Sequence, residues 1–252
     1  MNMISKKLNF KSGFNRSKKL LAVAFLSMFF ASCDILQAVA TQALTIPTSG
    51  EASSGLKDAL KQGFGNGVDF LSAKGGFLNN AAYKILLPAD AQKIADKLTA
   101  MGMGAQVDNV ILKLNEGAEN AVKTAKPIFI DAVTGMNFSD AMGILTGGHG
   151  AATNYLRSNT TVALTSAFKP KIQEALDQVG VTKYWGDLVN IYNRIPMVQK
   201  LNPDLNAFVT DKALVALFSR VEEEENAIRA NPVKRGTEMM KKAFAYADMQ
   251  KK

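Results

Sequence analysis

Apolar residues recur every three or four positions along most of the chain, which is the spacing of the buried face of an α-helix. The clearest stretch covers residues 105–126, where charged residues fall largely on the opposite side. Its apolar positions are Val107, Val110, Ile111, Leu114, Ala118, Ala121, Val122 and Ala125. A second stretch is centred on Phe168 and closed by Gly180, and a third starts near Asp211. The spacing predicts a helix in each of the three stretches.

Prolines mark the expected ends of these helices. Pro127 is expected to end or kink the first helix, and Pro170 to interrupt the second. Pro88 and Pro232 stand where proline favours the first turn of a helix. Residues 83–87 (YKILL) are the only short run typical of a strand, and helix formers surround them. The chain therefore predicts an all-α domain of about seven to nine helices.

The first 32 residues follow a different pattern. They carry six basic residues and no acid, and the 12 residues from 20 to 31 form a largely apolar run. Such a run is too short to span a bilayer, which takes about 20 residues, but it suits the core of a signal peptide. Phe30-Ala31-Ser32-Cys33 resembles the lipobox of bacterial lipoproteins. We therefore predict a removable signal peptide over residues 1–32 and lipidation of Cys33.

The cysteine count supports this prediction. Cys33 is the only cysteine, so it has no partner for a disulfide. Attachment of several acyl chains, as in lipoproteins, would anchor the protein stably, at about 0.8 kcal/mol per buried methylene. The alternatives are an ordinary secretory signal with an incidental cysteine, or an uncleaved anchor. The expected location is the bacterial cell envelope, facing the periplasm; the choice between inner and outer membrane stays open.

Most of the net positive charge lies in the predicted signal peptide, residues 1–32, rather than in the domain that follows. Of the 30 basic residues, 24 remain after residue 32, against 22 acidic ones, so the domain carries only +2 of the total +8. This balance argues against a nucleic-acid partner. Residues 45–55 are rich in Ser, Thr, Gly and Pro and read as part of a tether. We expect the lipidated Cys33 and tether over residues 33–53 and the helical domain over residues 54–252.

Several sequence blocks within residues 55–245 carry a family resemblance. They are Gly75-Gly76-Phe77-Leu78-Asn79, Ala125-Lys126-Pro127-Ile128-Phe129, Gly147-Gly148, Phe168-Lys169-Pro170, Val209-Thr210-Asp211-Lys212-Ala213-Leu214 and Glu222-Glu223-Glu224. With these blocks the chain resembles the bacterial family called domain of unknown function 4197. The resemblance implies an exported, often lipidated, helical protein and brings no established activity. One departure is Ile85-Leu86-Leu87-Pro88, where the resemblance leads us to expect Ile-Pro-Leu-Pro.

A single histidine and a single cysteine exclude histidine-containing metal clusters and Cys-His dyads. His149 lies in Gly147-Gly148-His149-Gly150, which is either a ligand or acid–base loop or, as we favour, a turn between helices. In the second case Thr146 or Thr153 would cap the next helix. Ser54 and Lys57 match the Ser-x-x-Lys pair of penicillin-binding enzymes, but the partner motifs are missing, and we expect Ser54 to be a helix cap.

Three further patterns have a functional and a structural interpretation. Residues 222–225 are four consecutive glutamates, which point about 100° apart on a helix and cannot converge on one site. We expect a solvated face that pairs with Arg220 or Arg229. Met101 and Met103 are interpreted as core fillers rather than copper ligands. The last helix, expected over residues 232–252, has a basic outer face that favours packing over a membrane-surface role.

These observations favour a non-enzymatic binding module of the cell envelope. We assign no catalytic, cofactor-binding or metal-binding residue and no cofactor. The expected partners are the membrane, through Cys33, and an envelope protein or an apolar small molecule; an internal apolar pocket would indicate the small molecule. The alternative is an enzyme that uses carboxylates, lysine or serine. Buried and mutually close acids would support it, for example Asp131, Asp140 or Asp211.

Overall fold

The computed structural model describes residues 47–180 and 204–250, with six positions between them (190, 193, 194, 196, 197 and 200). The leader, Cys33 and most of the expected tether lie outside the described residues. In the described part, all regular structure is helical and no strand forms, which confirms the all-α prediction. None of the described helices alone is long and apolar enough to cross a membrane; one bent pair, Ala91–Thr134 with Phe138–Thr146, meets that test by length and composition only.

The described residues form eight α-helices. In chain order they are α1 (Ser49–Ser72), α2 (Ala89–Leu98), α3 (Gly104–Val122), α4 (Ala125–Thr134), α5 (Phe138–Thr146), α6 (Ala151–Asp177), α7 (Leu205–Ala230) and α8 (Glu238–Gln250). A wide helical turn, Thr99–Met103, joins α2 to α3, with Gly102 at a positive φ of 85°. A 3₁₀ turn, Pro232–Lys234, comes before α8. Residues 83–87 belong to no strand; they form part of the segment between α1 and α2.

Helix α1 lies at the centre and packs against α4, α5, α7 and α8. Phe64 of α1 contacts Phe129 of α4 at 5.3 Å between ring centroids, and Phe129 contacts Phe218 of α7 at 6.1 Å. Gly55 lets α8 approach closely, because a Cβ at this position would overlap the Met239 carbonyl and lie 2.7 Å from the Ala243 Cβ. These contacts make α1 the helix against which α4, α5, α7 and α8 pack.

Helix α1 begins at Ser49 rather than near Ser54. Thr48 and Glu51 form a capping box, in which the Thr48 hydroxyl accepts from the Glu51 N–H at 3.2 Å and the Glu51 carboxylate accepts from the Thr48 N–H at 2.9 Å. Ser54 is therefore an exposed residue inside the helix, and the expectation that it caps the helix was wrong.

Pro170 does not interrupt α6, which runs unbroken to Asp177. Phe168 and Ile172 flank the proline and are both fully buried. Proline inside a helix costs about 3 kcal/mol, whereas burial of each large apolar side chain contributes about 1.5–3 kcal/mol. Packing on both sides therefore keeps the helix continuous.

Two helix starts also differ from the sequence prediction. Helix α7 begins at Leu205, ahead of Asp211, because the Asp204 carboxylate accepts from the Ala207 N–H at 2.8 Å and caps the helix there. Helix α8 begins at Glu238, where the Thr237 hydroxyl accepts from the Met240 N–H at 3.1 Å. Pro232 starts the preceding 3₁₀ turn instead, because the Asn231 side chain accepts from the Val233 N–H and caps that turn.

Candidate functional site

A groove open to solvent lies between residues 82–89 and one face of α7. Its volume is about 450 Å³, which is within the range of about 300–1,000 Å³ for ligand clefts. Leu86 and Val215 expose 53% and 60% of their surface there. The lining residues are Ala82, Tyr83, Lys84, Ile85, Leu86, Leu87, Pro88, Ala89, Phe208, Lys212, Val215, Ala216 and Ser219. Helix α7 rises about 16 Å from Phe208 to Ser219, so the groove is about that long.

The outer wall of the groove is held in an extended conformation by one buried side chain of α3. The Asn115 amide accepts from the Ile85 N–H at 2.8 Å and donates to the Ile85 carbonyl at 2.9 Å. These two bonds require both Ile85 groups to point to the same edge, as in a β-strand. Burial also alternates, since Tyr83 and Ile85 are buried while Lys84 and Leu86 are exposed. The segment is therefore extended but forms no strand, because its partner is a single side chain.

One turn further along α3, Glu119 holds the preceding loop in the same way. Its carboxylate accepts from the Gly75 N–H at 3.1 Å and the Phe77 N–H at 3.2 Å. Phe77 is fully buried. Asn115 and Glu119 lie four residues apart and so share one face of α3. That face positions the polypeptide that leads into the groove.

Tyr83 closes one end of the groove against α7. Its hydroxyl donates to the Glu223 carboxylate at 2.6 Å, and Arg220 donates to Glu223 at 2.7 Å. Burial, together with the hydrogen bond to Glu223, raises the pKa of Tyr83 to about 12. Burial alone would raise the pKa of Glu223, but the hydrogen bonds from Tyr83 and Arg220 outweigh it and the pKa is lowered. Arg220 also lies over the Phe70 ring at 4.7 Å.

The charges on the groove walls have one sign. Lys84 on the outer wall and Lys212 on α7 are both exposed, and no acidic residue is among the lining residues that the structure describes. The Lys212 ammonium lies 5.6 Å from the Phe208 ring centroid. Neither lysine belongs to an ion pair of the described residues. The groove therefore combines exposed apolar side chains with two lysines that have no ion-pair partner among the described residues.

Residues 47–245 match the sequence model of a family described as protein of unknown function (DUF4197). The chain belongs to this family. None of the curated proteins and none of the solved structures compared with the chain matches it. The matched region includes both walls of the groove and begins where the described fold begins, so the DUF4197 domain includes the helix α1 cap at Thr48.

The Gly147-Gly148-His149-Gly150 segment is a turn between α5 and α6 in the DUF4197 domain, as favoured. Gly150 has a positive φ of 72° and its N–H donates to the Asn226 side chain at 3.3 Å. The His149 Nδ1 lies 3.0 Å from the same Asn226 oxygen. The turn is thus fixed onto α7.

The expected caps were wrong: neither threonine caps α6. Thr146 donates to the Met142 carbonyl of its own helix, and Thr153 donates to Glu225. The Glu225 carboxylate of α7 takes the cap position instead and accepts from the N–H groups of Ala152 and Thr153 at 3.0 and 2.8 Å. A carboxylate from another helix therefore satisfies the first N–H groups of α6.

Arg229 completes this junction at the other helix end. Its guanidinium contacts Glu225 at 2.8 Å and donates to the carbonyls of Ile144, Leu145 and Gly147 at 2.8, 3.2 and 3.2 Å. These carbonyls close α5, so one ion pair caps the end of α5 and the start of α6 together. We expected a glutamate of residues 222–225 to pair with Arg229, but not that the Glu225–Arg229 pair would be buried.

The prediction that residues 222–225 form a solvated face was therefore wrong for half of them. Glu224 and Glu225 expose only 6% and 8% of their surface. Glu224 pairs with Arg220 and accepts from Asn66 of α1 at 3.2 Å, whereas Glu225 faces α5 and α6. Burial is possible because each carboxylate meets a guanidinium. The two point to different neighbours, as the helix geometry required.

The remaining predicted residues do not assemble into a chemical site. The Lys57 ammonium donates to the Thr134 carbonyl at 3.2 Å, not to Ser54. Met101 and Met103 expose 75% and 39% of their surface, so the core role expected for them was wrong; the turn at Gly102 places them outside the packed helices. Asp131 and Asp211 are exposed and Asp140 is half-buried. In the described part of the chain, no cluster of three His, Cys, Asp or Glu residues suits a metal.

The residues that build the groove were not found by sequence reasoning. Asn115 interrupts the apolar face of α3 next to Leu114, and a polar residue inside an apolar stripe was the available signal. Tyr83 and Glu223 are 140 positions apart, and no local pattern connects them. The exposed lysines gave no signal of their own.

Proposed function

We propose that this protein is a non-enzymatic binding module of the bacterial cell envelope, held on a membrane by lipid on Cys33, with the groove beside α7 as its binding surface. The observation that carries the proposal is the exposure of Leu86 and Val215 inside a cleft whose walls carry uncompensated charge. Exposed apolar residues in a concave, charged setting are typical of recognition surfaces.

The buried carboxylates support binding over catalysis. An envelope enzyme built on carboxylates would need an acid free to take or give a proton in a cleft. Glu119 is occupied by backbone N–H groups, while Glu224 and Glu225 are paired with arginines. Each of these acids stabilises the fold, and none lines the groove.

The tight core supports a surface site over an internal ligand. The cavity between α1, α7 and α8 has a volume of about 20 Å³, which is room for about one water molecule. An acyl chain or a sterol needs several hundred cubic ångströms. An apolar small molecule enclosed in this cavity is therefore disfavoured, which favours a partner that binds at the surface, such as an envelope protein.

Photo-crosslinking in living bacteria tests the binding surface. A benzoylphenylalanine at Val215, in the groove, is expected to give discrete light-dependent adducts with envelope components. The matched control is the same residue at Val162 on α6, which exposes 82% of its surface away from the groove. Equal adduct patterns at both positions, or adducts at Val162 alone, would contradict the proposed surface.

Replacement of the cysteine tests the anchor separately. Cys33→Ala is expected to abolish incorporation of labelled palmitate and to release the protein from the membrane fraction, because the acyl chains supply the anchoring energy. The control Ser27→Ala changes the leader but keeps Cys33, and it should label like the wild type. Palmitate labelling of the Cys33→Ala variant would refute the anchor.

A further inference from the structure

We propose that the groove receives an extended, acidic peptide segment of an envelope protein, which pairs with the backbone of Leu86 as an added β-strand. This inference rests on the proposed binding function and names the class of partner. Three observations support it: the groove carries positive charge, the backbone edge of Leu86 is unpaired, and the groove is open to solvent.

The charge selects an anionic partner. Lys84 and Lys212 stand on opposite walls, and the described lining residues include no acid. Two like charges facing one cleft raise its potential and favour a ligand of opposite sign. A segment that carries acidic residues beside apolar ones is complementary both to the lysines and to the exposed apolar side chains of Val215 and Leu86.

The backbone selects an extended partner. Successive residues of an extended chain direct their N–H and C=O groups to opposite edges, so the bonds between Ile85 and Asn115 leave the groups of Leu86 pointing away from α3. The Lys84 N–H is occupied by the Asn80 carbonyl at 2.8 Å. Leu86 makes no backbone hydrogen bond in the described part of the chain. An unpaired edge of this kind is where peptides add as a strand.

The open shape argues for a peptide over a lipid. Apolar small ligands are buried over about 70–90% of their surface. A groove with one side in solvent gives an acyl chain too little burial, whereas a peptide keeps its other edge hydrated. The length of about 16 Å fits roughly five extended residues at about 3.3 Å each.

Selection from a library of random heptapeptides displayed on phage tests the inference. The bait is the full chain, purified in mild detergent, and the enriched peptides are synthesised and measured by fluorescence anisotropy. We expect enrichment of peptides in which acidic residues alternate with apolar ones. Their affinity should fall as salt rises, because the lysines contribute through exposed charge.

Variants locate the peptide in the groove. Lys84→Glu with Lys212→Glu should weaken binding about tenfold or more. The matched control is Lys61→Glu with Lys74→Glu, which makes the same charge change at exposed positions outside the groove and should bind like the wild type. Leu86→Pro should weaken binding severalfold, because it removes the Leu86 N–H donor, which takes no part in the bonds between Ile85 and Asn115.

Each result decides the inference. Acidic peptides that lose affinity in the two groove variants and keep it in the control support it. No enrichment, enrichment of basic peptides, or equal loss in the control overturns it. Displacement of the enriched peptides by dodecanoate below its critical micelle concentration, or by anionic vesicles, would assign the groove to lipid instead and also overturn it. Crosslinks specific to Val215 would not be affected by these outcomes, so the broader binding function fails only if those crosslinks are absent or equal to the ones from the Val162 control.

Discussion

Two regions of the molecule, each built partly from α7, differ in what their polar groups bind. At the Glu225–Arg229 junction the ion pair is buried, and its carboxylate and guanidinium bond to the ends of α5 and α6. At the groove, Lys84 and Lys212 are exposed without an acidic partner among the lining residues, and the Leu86 backbone edge is unpaired. One region uses its polar groups to hold the fold together, and the other leaves them available.

The difference follows from the cost of burial. A charge removed from water is destabilising unless it is paired and hydrogen-bonded, so polar groups inside the fold must find partners there. Exposed groups bear no such requirement, because water satisfies them. Residues that stay unpaired in a concave site are therefore free for another molecule. Substitutions in the two regions should accordingly change different quantities, namely stability and binding.

The largest loss of stability is expected for Arg229→Leu. The change leaves the Glu225 carboxylate buried without its cation and removes the guanidinium donor from three carbonyls at the end of α5, of which only Ile144 keeps another donor in the described part of the chain, the Gly147 N–H. The expected loss in free energy of unfolding is about 3–5 kcal/mol. Urea denaturation followed by circular dichroism measures it.

The control for this prediction is Lys171→Leu, which breaks an exposed pair with Glu174 at 3.4 Å. A surface pair of this kind contributes about 0–1 kcal/mol. The double variant Glu225→Leu with Arg229→Leu sharpens the test, because it removes both charges but still leaves the helix ends uncapped. Recovery of wild-type stability in the double variant would show that the caps are dispensable and would weaken the contrast between the regions.

A smaller loss of stability is expected for Asn115→Leu. This residue connects the two kinds of region, because it is a buried polar side chain that holds the groove wall in place. The variant leaves the N–H and C=O of Ile85 buried and unpaired, at a cost of about 1–3 kcal/mol. Trypsin should then cut faster after the exposed Lys84. Asn120→Leu on the exposed face of α3 is the control. Unchanged cleavage at Lys84 would mean that Asn115 does not hold the wall.

The helices were largely predictable from the sequence, since each buries a continuous apolar face. Helix α3 and the Phe168 segment of α6 follow the predicted spacing, and so does the core of α7 around Leu217. Their ends were less predictable. The start of α6 depends on Glu225, which comes from a distant part of the chain, and the continuity of α6 at Pro170 depends on burial that periodicity alone does not measure.

The groove could not be predicted from the sequence, because it too depends on contacts between distant parts of the chain. Its two walls are brought together by the Tyr83–Glu223 hydrogen bond, between residues 140 positions apart. Residues 83–87 were singled out for their strand-like pattern, but the partner that satisfies this pattern is the single side chain of Asn115 rather than another strand. The periodicity of apolar residues shows which face of a segment is buried, but it does not show which two surfaces of the folded protein face each other.

An effect of about 0.5–1.5 kcal/mol is expected for Tyr83→Phe, which removes the bond to Glu223. The effect should depend on pH. The pKa of Tyr83 is raised from 10.0 to about 12 in the folded protein, so the contribution of this hydroxyl is complete below pH 10 and is lost as the pH rises towards 12. Urea denaturation of both proteins at rising pH measures the difference. A difference that stays constant up to pH 12 would contradict the assigned environment of Tyr83.

The smallest change in stability is expected for Lys84→Glu with Lys212→Glu, although this variant should have the largest effect on binding. Both side chains are exposed and neither forms an ion pair in the described part of the chain, so the free energy of unfolding should move by no more than about 0.5 kcal/mol. Urea denaturation beside the Lys61→Glu, Lys74→Glu control measures it. A loss comparable to that of Arg229→Leu would place the lysines among the groups that hold the fold. A loss confined to peptide affinity would show that the charges of the groove act in recognition, whereas the Glu225–Arg229 pair of α7 acts in stability.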